Sequence, residues 1–172
     1  MKFRIFYTFI LILITSFATC QTSYLKSYPF NKSSKVQLVI FSVSEPINED
    51  WSKIVCLEIP KKNGVVDTLQ LENRKTLNSM QIEKVYEAMN FKGTDCSENV
   101  YRKKECNESG YGILFYNSKG EVFEYIELCF NCMQFTVSSK NVNLGLMCYD
   151  KYSQFEKLFN ENGLQVIRYR DE

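Results

Sequence analysis

Histidine is the residue that this sequence lacks altogether, because none occurs among its 172 residues. Its absence excludes Ser-His-Asp and Cys-His catalysis, histidine-ligated zinc and histidine-based pH switching within this chain. An excess of one charge is also missing, since 21 Lys and Arg balance 20 Asp and Glu. A nucleic-acid-binding surface usually carries a basic stripe, so we expect no nucleic-acid partner. A phosphate-binding loop is absent as well, because Gly110-Tyr111-Gly112 lacks that motif's further glycine and its lysine.

Residues 1–20 have the layout of a secretory signal peptide. Two basic residues near the start are followed by an apolar run from Ile5 to Phe17 and then by small residues. The run is shorter than the roughly 20 residues of a membrane-spanning helix, so we expect export and no permanent span. We expect residues 21–34, which are polar, to form a flexible tether and residues 35–172 to form one folded domain.

Three cleavage positions are compatible with the end of this signal. Cleavage after Ala18 or after Cys20 would leave small side chains at the positions that signal peptidase recognises. The third option resembles the bacterial lipoprotein signal, in which Cys20 becomes the first mature residue and carries lipid, although Phe17 and Thr19 differ from that pattern. Lipid on Cys20 would place the protein on a membrane surface of the cell envelope. Without it, we expect a periplasmic or secreted protein.

Cysteine parity gives independent information about the compartment. The chain has seven cysteines, and six remain if Cys20 is lipidated or removed. An even number suits disulfides in an oxidising compartment, and the fifteen pairings that six cysteines allow stay open. We expect the following six cysteines to be structural: Cys56, Cys96, Cys106, Cys129, Cys132 and Cys148.

Hydrophobic periodicity predicts several strands. Val36–Val43 is rich in β-branched residues, and Tyr111–Asn117 with Glu121–Cys129 predicts a hairpin whose strands are apolar on both faces. Such strands usually lie at the centre of a sheet. The Asn63-Gly64 dipeptide is typical of a tight hairpin turn. Further strands are expected at Trp51–Ile59, Val65–Leu71, Met133–Val137 and Leu164–Tyr169.

Two helices complete the predicted fold. Asn78 and Gln81 resemble a capping box at the start of the first helix. The second is expected over Tyr149–Asn162, with Asp150 as its N-cap and Gly163 at its C-terminal end. The sequence therefore predicts a single α+β domain, with an antiparallel sheet and two main helices packed on one face.

Cys129 and Cys132 have a spacing that occurs in thiol–disulfide oxidoreductases and in zinc sites. A redox pair usually opens a helix, whereas Met133–Val137 is β-type sequence, and a second zinc-binding hook is absent. We therefore expect no catalytic residue and no cofactor. Two alternatives remain open: redox catalysis by Cys129 and Cys132, or zinc held by Cys106, Cys129, Cys132 and Cys148.

Three glutamates, Glu121, Glu124 and Glu127, lie along one predicted strand. Paired carboxylates perform acid–base chemistry in enzymes that cleave glycans. Charges along a strand are more commonly solvated at the edge of a sheet. We therefore expect these glutamates to lie on a solvated strand edge.

The block from Tyr111 to Gly163 combines a Leu-Phe-Tyr strand, a Ser-Lys-Gly turn, the sequence Cys129-Phe130-Asn131-Cys132, Cys148 and an aromatic helix. It resembles small uncharacterised exported proteins and lipoproteins of bacteria that carry a Cys-Phe-x-Cys turn after a hairpin. This resemblance implies no activity. We therefore favour a non-enzymatic exported domain, with a role in binding or in the cell envelope, over an enzyme.

Overall fold

The computed structural model describes residues 24–41, 58–93, 96–98, 100 and 110–167. The predicted signal peptide with Cys20, the cysteines Cys56 and Cys106, and most of the predicted strand Trp51–Ile59 lie outside these residues. Within the described ranges, no helix has both the length and the apolar character needed to cross a bilayer.

The described residues form strands and two helices that build one sheet-based domain. The strands are β1 (Lys35–Phe41), β2 (Lys61–Lys62), β3 (Val65–Val66), β4 (Asn73–Thr76), β5 (Gly110–Tyr116), β6 (Val122–Cys129) and β7 (Gln134–Val137). The helices are α1 (Ser79–Asn90) and α2 (Tyr149–Glu161). Five strands form an antiparallel sheet in the order β4-β1-β5-β6-β7, and β2 with β3 forms a separate hairpin.

Strand β5 lies at the centre of the sheet, and every one of its residues is buried. Ile113 lies opposite Leu38 of β1 and Ile126 of β6. Successive side chains point to opposite faces, so Ile113 and Phe115 join one apolar cluster while Leu114 joins another. The central position predicted from apolar residues on both faces is confirmed.

Different parts of the chain cover the two faces of the sheet. Both helices pack on one face, where Val85 of α1 and Phe155 of α2 are fully buried. Residues from the segment 58–72 cover the opposite face through Ile59 and Leu71. The predicted α+β domain, with an antiparallel sheet and two helices on one face, is confirmed.

The ends of the helices follow the sequence signals with one exception. Asn78 Oδ1 accepts from the Gln81 backbone N–H at 3.0 Å, and the Gln81 side chain accepts from the Asn78 N–H at 2.9 Å, which completes a capping box. Gly163 follows α2 with a φ of 77°, a conformation that favours glycine. The N-cap of α2 is Cys148. The predicted cap, Asp150, lies in the first turn of α2, where its negative charge interacts favourably with the helix dipole.

Residues 24–34 differ from the predicted flexible tether. Two short 3-10 turns within them bring Tyr24 and Phe30 into the core. The Phe30 ring packs edge-on against Tyr86 and Phe115, with ring centroids 5.7 and 5.4 Å apart. The polar composition of this segment concealed its isolated aromatic anchors, and the folded domain begins earlier than predicted.

Three strand predictions also need correction. No apolar pattern predicted β4, because its four residues are polar and exposed. It joins β1 by backbone pairing and by a side-chain hydrogen bond that Gln37 Nε2 donates to Thr76 Oγ1 at 2.8 Å. The predicted strand Val65–Leu71 is formed only in part, since a 3-10 turn at Thr68–Gln70 follows β3. The predicted strand Leu164–Tyr169 is not formed over residues 164–167, although Leu164 and Val166 are buried.

We expect Phe30→Ala to lower the free energy of unfolding by about 3–5 kcal/mol, because it empties a buried site between three aromatic rings. Urea denaturation of the wild type and the variant would measure this change. Leu69→Ala is a matched control at a side chain that is 90% exposed, and it should change stability by no more than about 0.5 kcal/mol. Equal effects of the two substitutions would contradict the packing of residues 24–34.

Candidate functional site

Cys96 and Cys148 lie at disulfide distance, with their Cα atoms 5.2 Å apart and their positions 52 apart in sequence. Cys96 follows α1, and Cys148 is the N-cap of α2. The bond therefore fastens the chain that leaves one helix to the start of the other. Cys132 is fully buried and is also a disulfide cysteine.

The Cys129-x-x-Cys132 pair lies in the turn between β6 and β7. Strand β6 ends at Cys129 and β7 begins at Gln134, with Met133 between them at a φ of 49°. A strand and not a helix follows the pair, so this turn lacks the helix dipole that lowers thiol pKa values in redox motifs. Cys129 is half-buried, and the disulfide of Cys132 is not made with Cys129.

The disulfides use cysteines that the alternative zinc site would need as ligands. Two of its members, Cys132 and Cys148, are disulfide cysteines in this structure, and Cys106 lies outside the described residues. Zinc needs thiolates, which a disulfide does not offer. In the part of the chain that the structure describes, no three acidic, cysteine or histidine side chains gather in a group that could hold a metal.

The prediction of a solvated glutamate edge is wrong for Glu124, which is only 4% exposed. Its carboxylate accepts hydrogen bonds from the hydroxyls of Tyr28, Ser138 and Ser139, the last at 2.7 Å. Burial raises the pKa of Glu124, but the three hydroxyl hydrogen bonds outweigh burial and hold the pKa below its usual value. Burial and the neighbouring carboxylate raise the pKa of Tyr28 to about 12, so the Tyr28 hydroxyl stays a donor.

Glu127 is buried as well, and it lies on the opposite face of β6. Its carboxylate accepts the backbone N–H of Ile59 at 2.7 Å. Burial raises the pKa of Glu127 above its usual value, although the Ile59 N–H and the charge of Lys61 oppose this rise. Because residues three apart on a strand point to opposite faces, Glu124 and Glu127 do not form an acid–base pair around one substrate.

A cavity of about 410 Å³ lies beside the Cys96–Cys148 disulfide. Its walls come from the end of α1 with residues 91–93, from residues 143–146 and from the start of α2. Gly93 has no room for a side chain there, because a Cβ would lie 2.8 Å from Asp150 Oδ2 and 3.0 Å from Cys96 Sγ. The disulfide and this close backbone approach hold the cavity walls together.

Lys151 is the one buried lysine among the described residues, with 2% of its surface exposed. Its Nζ donates to the carbonyl oxygens of Leu144 and of Met89, the latter at 3.0 Å. Met89 lies in the last turn of α1, where backbone carbonyls lack helical partners and a cation is favourable. No carboxylate of the described residues pairs with Lys151. Burial accordingly lowers the pKa of Lys151.

The sequence contained a signal for this burial. Lys151 precedes Phe155 by four residues and Leu158 by seven, so it falls on the same helical face as these core residues. A lysine on the buried face of an amphipathic helix needs local hydrogen-bond acceptors or a bound anion. The acceptors come from the end of α1 and from residues 143–146, and the helical pattern alone could not identify them.

A second cavity of about 240 Å³ lies between α1 and α2 and serves as a comparison. Its wall includes Lys84, Lys157 and Glu161. Lys84 Nζ lies 2.7 Å from Glu161 Oε2, and Lys157 Nζ lies 3.9 Å from Glu161 Oε1. Acidic and basic residues therefore both line this cavity, whereas the charged residues that line the cavity beside the disulfide are lysines.

We expect Glu124→Gln to lower the free energy of unfolding at pH 7 by about 1.5–3 kcal/mol, because it removes hydrogen bonds to a charged acceptor. Folding lowers the pKa of Glu124, so its stabilising contribution exists above pH 4.5 and is lost as the pH falls through the lowered pKa. The difference between variant and wild type should therefore shrink below pH 4.5 in urea denaturation.

Glu127→Gln on the same strand is the matched control. Because folding raises the pKa of Glu127, its charged form costs stability above the raised pKa, and this substitution should not destabilise the protein at pH 7. Gln also keeps an oxygen acceptor for the Ile59 N–H. Losses of the same size and pH dependence in both variants would contradict the assigned pKa directions.

Comparisons with protein-family models, with curated proteins and with solved structures find no match to this chain. The resemblance to small exported bacterial proteins therefore stays a prediction. The function has to be inferred from the residues themselves, above all from the Cys96–Cys148 disulfide, Lys151 and the cavity beside them.

Proposed function

We propose that this chain is an exported, non-enzymatic binding domain that lipid on Cys20 holds at a membrane surface of the cell envelope. The observation that carries the proposal is the approach of Cys96 and Cys148 to disulfide distance. Disulfides persist in oxidising compartments and are rare in the cytosol. The signal-like segment at residues 1–20 supports the same compartment from sequence.

Binding is favoured over thiol–disulfide exchange by the surroundings of the cysteines. A redox cysteine has to be reached by its substrate, and Cys132 has none of its surface exposed. The cavity beside the Cys96–Cys148 bond falls in the size range of about 300–1,000 Å³ that is usual for small-ligand sites. We therefore assign a structural role to the disulfide and a binding role to the cavity beside it.

Intact-mass measurement of the protein purified from cells, with and without reduction and alkylation, tests export and anchoring. We expect a mature chain that begins at a lipid-bearing Cys20 and in which Cys96 and Cys148 are alkylated only after reduction. Cys20→Ser should abolish the lipid without affecting the other cysteines. An uncut leader, with all thiols alkylated in the absence of reductant, would contradict export.

Replacement of both Cys96 and Cys148 by Ser tests their structural role. Because the bond closes a loop between positions 52 apart in sequence, we expect its loss to lower the free energy of unfolding by about 2–4 kcal/mol. Denaturation in urea would measure the difference, with the wild type in reductant as the control. A double variant that is as stable as the oxidised wild type would refute a stabilising disulfide.

A further inference from the structure

The cavity beside the disulfide combines an apolar lining with positive charge. Met89, Phe91, Leu144 and Leu146 supply apolar side chains to its wall. Leu146 is 44% exposed, so part of this apolar surface is in contact with solvent. An apolar lining of this kind suits the hydrocarbon part of a small ligand.

The charged side chains that line the cavity are of one sign. Lys92 and Lys151 both line it, and none of its described lining residues is acidic. Asp150 approaches the wall at Gly93, but its side chain lies on the exposed surface, where solvent screens the carboxylate. The buried ammonium of Lys151 is therefore the dominant charge within the site.

Lys151 also has hydrogen-bonding capacity to spare. An ammonium group has three donors, and the carbonyls of Met89 and Leu144 account for two of them. A Cβ on Gly145, which also lines the cavity, would lie 3.8 Å from the Lys151 Nζ, so Nζ lies close to the cavity wall. The third donor is available for an acceptor in the cavity, and a charged acceptor would compensate the buried charge.

We propose that this cavity binds a small organic anion, with its carboxylate on Lys151 and its apolar body against the Leu144 and Leu146 side of the wall. The proposal rests on the proposed function as a binding domain and adds the chemical class of the ligand. Two features support this class: the apolar lining suits a hydrocarbon body, and the buried ammonium of Lys151 has a third donor that a negative group can accept.

The test uses hexanoate, hexanol and hexylamine, which share a six-carbon chain and differ in charge. Backbone amide NMR spectra of the mature protein are recorded during titration with each probe. We expect hexanoate to shift the signals of Gly93, Gly145 and Leu146 in a saturable way. Hexanol should bind at least about tenfold more weakly, because it lacks the charge that Lys151 recognises.

Lys151→Gln is the informative variant, because Gln keeps two N–H donors for the Met89 and Leu144 carbonyls and loses the charge. We expect it to weaken hexanoate binding at least about tenfold and to leave hexanol binding unchanged. Lys157→Gln, at an exposed lysine of the same helix, is the matched control and should bind hexanoate like the wild type.

Should Lys151→Gln fail to fold, variants of the exposed Leu146 test the same point. Leu146→Asp should weaken hexanoate binding through charge repulsion, while Leu146→Asn supplies the neutral control. Equal binding of hexanoate and hexanol, or unchanged hexanoate binding by Lys151→Gln, would refute the proposal that the ligand is an anion. Either result would leave the binding role of the cavity in place. If no probe binds at the cavity, both the anionic ligand and the binding role of the cavity are refuted. Export and anchoring are tested separately by intact-mass measurement.

Discussion

The double-sided burial of β5 is the constraint on which the rest of the domain depends. A strand with all of its residues buried requires apolar cover on both faces of the sheet. The two helices supply that cover on one face, and Ile59 and Leu71 contribute to it on the other. Gly110 and Gly112 leave room for the side chains of the neighbouring strand β1, because a Cβ at either position would collide with Phe41 or Val39. A Cβ on Gly112 would also lie 3.2 Å from Ile59 of the covering segment. The segments outside the sheet are thus fixed in place by what the central strand has to bury.

Charged groups inside this domain are satisfied by neutral hydrogen-bonding groups. Glu124 accepts hydrogen bonds from three hydroxyls, and Glu127 accepts one from the backbone N–H of Ile59. Lys151 donates hydrogen bonds to two backbone carbonyls. One contact of each charged group joins segments that are distant in sequence: Tyr28 to β6, Ile59 to β6, and Met89 to α2. A buried charge that loses its partners is costly, so such contacts favour one arrangement of the segments over others.

The sequence predicted those elements whose side chains carry a regular pattern. The hairpin of β5 and β6 has apolar residues on both faces, and the capping box at Asn78 marks the start of α1. Strand β4 carries no such pattern, because its residues are polar and it is held by backbone pairing with β1. Glu124 looked solvated because its hydroxyl partners come from remote segments, and no local pattern reports such partners. The core positions of Tyr24 and Phe30 were not predicted either, because the two residues are isolated aromatics in a polar segment and their packing partners lie elsewhere in the chain.

The candidate site arises where three segments meet, and each is held there by a contact that does not need a ligand. The disulfide joins Cys96 to the start of α2, and Lys151 joins the end of α1 to Leu144. A cavity whose walls are fixed in this way loses little conformational entropy when it is filled, which favours binding of small ligands.

The carbonyls stabilise the charge of Lys151 only in part, since burial still lowers its pKa. An anion on the third donor would raise that pKa again, so binding and protonation of Lys151 would reinforce each other. The group that bridges the end of α1 to Leu144 is thus also the group that would recognise the ligand.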